Sequence, residues 1–245
     1  MNWFDAGGAA YAEFRPTYPP ELIALLADAA PGRTLAADVG CGKGQLTVAL
    51  AGEFDAVLGL DPSASQLAHA IPHERVTYRM APAERLPVAD RSVDLVTAAQ
   101  AAHWFDLPRF YAEVRRVLVP SGALALVSYG RQQLDSAVDE RFQRFYSEEV
   151  GAYWPAERQH VDAGYRTLEF PFDELPVPPL EIRRDFTLPD LLGYVSTWSA
   201  TRRAREAVRE DLLDRFGEEM AELWGDPDRV RRARWPVNVR LARVA

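Results

Sequence analysis

The 245-residue chain has almost no cysteine and almost no lysine. Cys41 is its single cysteine, so no internal disulfide can form and no Cys-x-x-Cys zinc spacing exists, which points to a reduced compartment. Lys43 is its single lysine, and arginine supplies the other 27 of the 28 basic residues. Acidic residues number 36, leaving a net charge of −8. That balance speaks against a general nucleic-acid binder. No apolar run approaches the ~20 residues of a membrane span. The opening MNWFDAGGAAYAEF lacks the basic start and apolar core of a secretory leader. The expectation is a cytoplasmic protein with no membrane partner. With four histidines and no clustered ligand spacing, no metal site is expected. There is no internal repeat and no low-complexity tract.

What is present is an alternation of short apolar runs and helical segments. TLAADVG (34–40), AVLGLDP (56–62), RVTYRMAP (75–82), SVDLVTAAQ (92–100) and ALALVSYG (123–130) read as strands. Between them, GQLTVALAGE and SASQLAHAI read as helices, the second with a serine N-cap. In LPRFYAEVRRVLVPSG, Phe110, Val114 and Val117 or Leu118 share one helical face before a Pro-Ser-Gly turn. Continuous apolar strands alternating with helices predict a mostly parallel sheet covered on both faces. Ligands then sit beyond the carboxyl ends of the strands. After residue 130 the pattern changes. Residues 131–175 read as helical and then loop-like, ELPVPPLEIRRDFT as a strand after prolines, and 188–224 as helical. WPVNVRLARV reads as a closing antiparallel strand. The expectation is one domain over 1–245: an N-terminal arm and first helix (1–30), a core (31–130), a cap with the sixth-strand region (131–200), and C-terminal helices with the last strand (201–245).

The stretch DVGCGKGQ carries Gly40-x-Gly42-x-Gly44 directly after the first strand. A phosphate-binding P-loop needs Gly-Lys followed by Ser or Thr, and here Lys43 is followed by Gly44. A dinucleotide turn needs a third small residue at a set spacing, and Gln45 or Thr47 stands there instead. Asp61, roughly 20 residues on and at the end of the second strand, is placed to accept hydrogen bonds from ribose hydroxyls. Its plain alternative is a helix start at Asp-Pro-Ser. The pair reads as a nucleoside site with close backbone contact but no diphosphate turn.

These features, with AERLPVADRSVDLVTAAQAAHWFD, resemble the motifs of class I S-adenosylmethionine-dependent methyltransferases. FRPTYPPEL, AQAAHWFD and GYVSTWSA (193–200) resemble the branch that includes trans-aconitate methyltransferases, across nearly the whole chain. The resemblance implies a Rossmann-like, seven-stranded, mostly parallel α/β sheet with a cap insertion after the fifth strand. S-adenosyl-L-methionine would be the cofactor. Asp38, Gly40, Cys41, Gly42, Gly44 and Gln45 would hold its methionine part. Asp61 would take the ribose, with Pro62 and Ser63 beside it. Ala83 and Glu84 would border the adenine, and Gln100 and Ala101 would line the methionine side. Tyr11 and Arg15 would close over the site and pair with the cofactor carboxylate. Lys43 stands where relatives often carry a small hydroxyl residue, and VPSG replaces the usual Lys-Pro-Gly-Gly turn.

His103, just past the fourth strand, is the candidate general base or substrate partner. Its alternative is a histidine that only orders its loop. Trp104 and Phe105 would form an aromatic wall or pack in the core. Arg131 would face a substrate carboxylate or lie on the surface. Tyr194, Trp198 and Ser199 would roof the acceptor or pack helices. RVRRARWPVNVR is basic with one tryptophan and lacks the interleaved aromatics of a nucleic-acid platform. Arg202 and Glu206 read as an i,i+4 pair on a solvated helix. The expectation is methyl transfer to a small molecule, at oxygen, with a carboxylate as one acceptor. The alternatives are a hydroxyl, nitrogen or carbon of a larger metabolite, or cofactor binding without catalysis. Oligomeric state is left open.

Overall fold

The computed structural model describes residues 16–244. Tyr11 and Arg15 lie outside them. The chain runs α1 (Pro20–Ala29), β1 (Leu35–Val39), α2 (Gln45–Leu50), β2 (Ala56–Asp61), α3 (Ala64–Leu67), β3 (Val76–Met80) and β4 (Val93–Ala99). It continues through α4 (Leu107–Val117), β5 (Leu118–Tyr129), α5 (Ser136–Arg144), α6 (Arg158–Asp162) and β6 (Leu180–Phe186). It ends with α7 (Leu188–Ser196), α8 (Ser199–Glu206), α9 (Glu210–Trp224) and β7 (Arg231–Arg243). Seven strands form one sheet in the order β3-β2-β1-β4-β5-β7-β6. The first five pair in parallel, and β7 runs antiparallel to β5. The order reverses direction at β1, so the loops after β1 and β4 open side by side, where such sheets take ligands. Among the described residues no helix is long and apolar enough to cross a membrane.

Strand position follows from composition. β4 is buried along nearly its whole length, as a continuous apolar run requires. β3, at the sheet edge, alternates half-buried and exposed residues. In α4 the predicted Phe110, Val114 and Val117 are buried, with Tyr111 beside them, each of the three contributing roughly 1.5–3 kcal/mol by burial. Asp106 caps this helix by accepting from the Arg109 amide at 3.3 Å. Serine capping of α3 is also present, Ser63 Oγ accepting from Gln66 N. The Pro-Ser-Gly turn falls inside β5 instead of ahead of it. Val93 pairs with Leu118 and Leu95 with Ala123, so β4 advances two residues while β5 advances five and the turn loops out.

The chain divides into two compact units. The larger holds Thr17–Gly130, Gln159–Glu181 and the chain from Pro236. One face of its sheet, through Ala37, Leu58, Val96 and Leu124, packs with Val161, Tyr165 and, at its margin, Phe170 and Phe172. The smaller holds Arg131–Arg158 and Ile182–Trp235. Its core is aromatic, with Phe145 stacked on Phe216 at 4.0 Å and Trp198 against Phe142, Tyr146 and Trp154. A complete capping box, Thr187 with Asp190, starts α7. Three arginines of the basic run are paired with acids: Arg231 meets Asp135 at 2.7 Å, Arg232 meets Asp185 at 2.9 Å, and Arg240 meets Glu174. The Arg202–Glu206 pair is present and exposed, at 3.9 Å.

Candidate active site

The chain leaves β1 through Gly40–Gly44 and enters α2. The amides of Gly40 and Cys41 both donate to the Leu60 carbonyl, at 2.7 and 3.0 Å, which docks the turn on the end of β2. Gly40, Gly42 and Gly44 all have positive φ, a conformation that costs L-residues about 1–2 kcal/mol. Each glycine also has its own spatial reason. A Cβ at Gly40 would collide with Ala101 and lie 3.3 Å from Phe105. One at Gly44 would collide with the Tyr78 ring. Among the described residues, one at Gly42 would meet nothing within 4 Å. The outer glycines therefore let the loop pack, and the middle one faces open space.

Asp61 holds the loop from the next strand. Its Oδ2 accepts from Gly42 N at 2.9 Å and its Oδ1 from Ser63 N at 2.8 Å. An ionised carboxylate offers about four acceptor positions, so two further donors can be taken. Pro62 is exposed and Ser63 half-buried beside it. Lys43 lends its backbone carbonyl to Ile71 N at 2.9 Å.

Asp38 is placed differently from the sequence expectation. Its side chain is 1% exposed, and each oxygen accepts a threonine hydroxyl: Thr47 at 2.6 Å and Thr97 at 2.8 Å. The carboxylate thus staples β1 to α2 and β4. Burial pushes its pKa up to about 6, against the pull of the two hydroxyls. Burial, with Asp38 and Asp61 nearby, also pushes the Cys41 thiol up. A thiol so held stays protonated and is not a nucleophile.

Past β4 the backbone turns sharply. Gln100 has a positive φ, and its Nε2 donates to the Tyr129 carbonyl at 3.2 Å. A single 3-10 turn, Ala102–Trp104, carries His103. Its neighbours Ala101 and Phe105 are the side chains packed on Gly40, so His103 sits beside the glycine loop. Glu84 anchors the far end of the turn, accepting from Asp106 N at 3.0 Å, while Ala83 is buried in the core. His103 Nδ1 lies 2.9 Å from the Tyr165 hydroxyl. Trp104, 57% exposed, has its ring centroid 4.9 Å from that of His103. Phe105 packs on Phe110 at 5.0 Å, so of the two expected wall residues one is core and one is open.

Three comparisons bear on this arrangement. Residues 37–126 match the family model of a methyltransferase domain. A chain of Dictyostelium discoideum named as a methyltransferase is 34% identical over 229 residues, 92% of this chain and 87% of its own. This chain belongs to the class I S-adenosylmethionine-dependent methyltransferases. A solved structure from Anaeromyxobacter dehalogenans, described as a type II methyltransferase, matches the methyltransferase at TM-score 0.88 and 44% identity, covering 94% of this chain and 97% of that one. The malonyl-[acyl-carrier protein] O-methyltransferase of Hahella chejuensis is 35% identical over 130 residues, 49% of this chain and 46% of its own.

The methyltransferase's cofactor is S-adenosylmethionine, and the residues present fit it. The open space at Gly42 leaves loop backbone approachable, and Asp61 retains acceptor capacity for a ribose diol. Gln45 opens α2 next to the loop. The methyltransferase's other expected acceptor residues lie in the smaller unit and are engaged in its packing. Arg131 donates to Ser147 Oγ at 2.9 Å and lies 4.3 Å over the Tyr146 ring. Tyr194 accepts from Trp235 Nε1 at 3.2 Å, and Trp198 is only 5% exposed. Sequence reasoning missed Thr47, Thr97 and Tyr165. Thr47 and Thr97 each face the strand-end Asp38, but Tyr165, 62 residues from His103, carries no motif.

Proposed function

We propose that this methyltransferase transfers its methyl group to an oxygen of a small molecule, with His103 taking the acceptor's proton. The reading rests on one observation: a histidine, on the turn that packs against the glycine loop, whose Nδ1 lies 2.9 Å from a tyrosine hydroxyl. The cofactor supplies a methyl on a positively charged sulfur that departs as a neutral thioether. A hydroxyl acceptor must lose its proton as its oxygen gains the methyl. With Nδ1 turned to Tyr165, Nε2 is the nitrogen that serves as base. The exposed Trp104 ring gives a flat apolar acceptor a surface beside that nitrogen. Orientation beside the loop supplies much of the remaining acceleration.

A second reading, a carboxylate acceptor, is favoured by the malonyl-[acyl-carrier protein] O-methyltransferase among the relatives and by the motif resemblance to trans-aconitate methyltransferases. A carboxylate is already ionised and needs no base. The test is a labelled-methyl screen of phenols, alcohols and carboxylic acids, read by mass, with wild type and His103→Gln. Methyl on a hydroxyl, with turnover lowered on the order of 10²- to 10⁴-fold in the variant and unchanged affinity for S-adenosylmethionine, supports the first reading. Acceptance by carboxylic acids alone, with the variant as active as wild type, replaces it with the second.

A further inference from the structure

We propose that Tyr165 is a positioning residue for His103: its hydroxyl oxygen accepts the Nδ1–H and so holds the ring in the tautomer whose Nε2 carries the lone pair. The inference rests on the reading of His103 as the acceptor-side base and deepens it. A neutral imidazole has one protonated nitrogen, and the partner of one nitrogen decides the role of the other. If Tyr165 donated to Nδ1, Nε2 would carry the hydrogen and His103 would be only a donor. If Tyr165 accepts, Nε2 is ready to take a proton and Nδ1 keeps its bond throughout. That bond then becomes charge-assisted as the imidazolium forms.

Tyr165 is fixed from every side that the delivery of this oxygen requires. Its ring is fully buried. It follows Gly164, and both residues have positive φ, a pair of left-handed steps that a tyrosine does not adopt by its own preference. Such a conformation persists where the surroundings over-determine it. Here the Tyr165 amide donates to the His160 carbonyl at 2.8 Å. Its carbonyl receives Leu168 N at 3.1 Å and Arg240 Nη1 at 3.2 Å. The preceding step must be glycine, since a Cβ at Gly164 would come within 2.7 Å of Asn238. On the other side, the His103 turn is closed by Trp104 N to Ala101 O at 2.9 Å and Phe105 N to Ala102 O at 3.2 Å. Neither partner swings on a long flexible stem, and the 2.9 Å contact joins two fixed frames.

The experiment reads the ring nitrogens of the full chain by nitrogen-15 NMR, above the pH at which the histidines titrate. Four histidines make the spectrum tractable, and His103→Gln assigns the signal. Two of the others are internal references. His73 Nδ1 accepts from Arg75 N at 3.2 Å, which sets the Nε2–H form. His69 Nδ1 faces the Ser65 carbonyl at 2.9 Å, which sets the Nδ1–H form. The expected result is His103 with the pattern of His69, and a several-fold shift toward the pattern of His73 in Tyr165→Phe. Wild-type His103 in the Nε2–H form overturns the inference, and that spectrum needs no variant to fold. So does Tyr165→Phe with an unchanged tautomer. A lost turnover in His103→Gln with either of those results leaves the base and removes Tyr165 from its positioning. An active His103→Gln removes the base reading itself, whatever the tautomer.

Discussion

Gly42→Ala separates the loop's fit to its own fold from its fit to the cofactor. Gly42 has φ +55, so alanine there carries the left-handed strain of about 1–2 kcal/mol. No clash adds to it among the described residues, where the new methyl meets no atom within 4 Å. At this chain length each 1 kcal/mol lowers Tm by about 2–4 °C, so the variant melts only a few degrees early. On the proposal that loop backbone meets the methionine part of S-adenosylmethionine here, the methyl takes up that space. Affinity should therefore fall by about tenfold or more, about 1.4 kcal/mol. Gly40→Ala is the control. It carries the same strain plus a collision with Ala101 and a tight approach to Phe105, an overpacking cost of about 1–3 kcal/mol, so it melts earlier. Calorimetric titration with S-adenosylmethionine beside thermal unfolding reads both quantities. A Gly42→Ala variant that melts slightly early yet binds with unchanged affinity would refute the placement of the cofactor against this face of the loop.

Two further outcomes follow from buried groups. The Asp38 carboxyl, pushed up to about 6 from an ordinary 3.8 chiefly by burial, binds its proton more tightly folded than unfolded. Its contribution to stability is therefore greatest below about pH 4 and declines as pH rises to about 6, by at most about 3 kcal/mol. Asp38→Asn removes that slope, so urea unfolding of both proteins at about pH 4 and about pH 7 should show the decline in wild type alone; equal slopes would sink the assignment. Trp198→Ala deletes the centre of the smaller unit's aromatic core and should cost about 3–5 kcal/mol, read by chemical denaturation. A variant of near-native stability with a raised KM would instead make Trp198 an acceptor contact.

The sheet was legible because its strands are buried on both faces. Val93–Ala99 can only be a central strand, and Val76–Met80 alternates because it lies at the edge. The glycine loop and Asp61 stand out in the sequence because a nucleoside site depends on spacing along the chain. Asp38 shows the limit of that logic. The family resemblance assigned it to the methionine part of the cofactor, whereas the hydroxyls its oxygens accept come from 9 and 59 residues away, partners that no motif announces. Trp198 and Tyr194 were read from a motif that does not distinguish a pocket roof from a core. The basic run near the C-terminus reads as lacking the aromatics of a nucleic-acid platform. Its arginines meet Asp135, Asp185 and Glu174, partners that no local pattern announces.

Arg240 links the acceptor side of the larger unit to the order of synthesis. It lies on β7, and its guanidinium holds the carbonyls of Tyr165 and Leu168 from 75 and 72 residues further along the chain. The parallel strands β1 to β5 leave the ribosome well before it. A nascent chain can thus assemble the glycine loop and Asp61 early, while the left-handed turn that aims Tyr165 waits for β7 to zip onto β5. Cofactor capture and proton handling would mature at different times, the second with the closing strand.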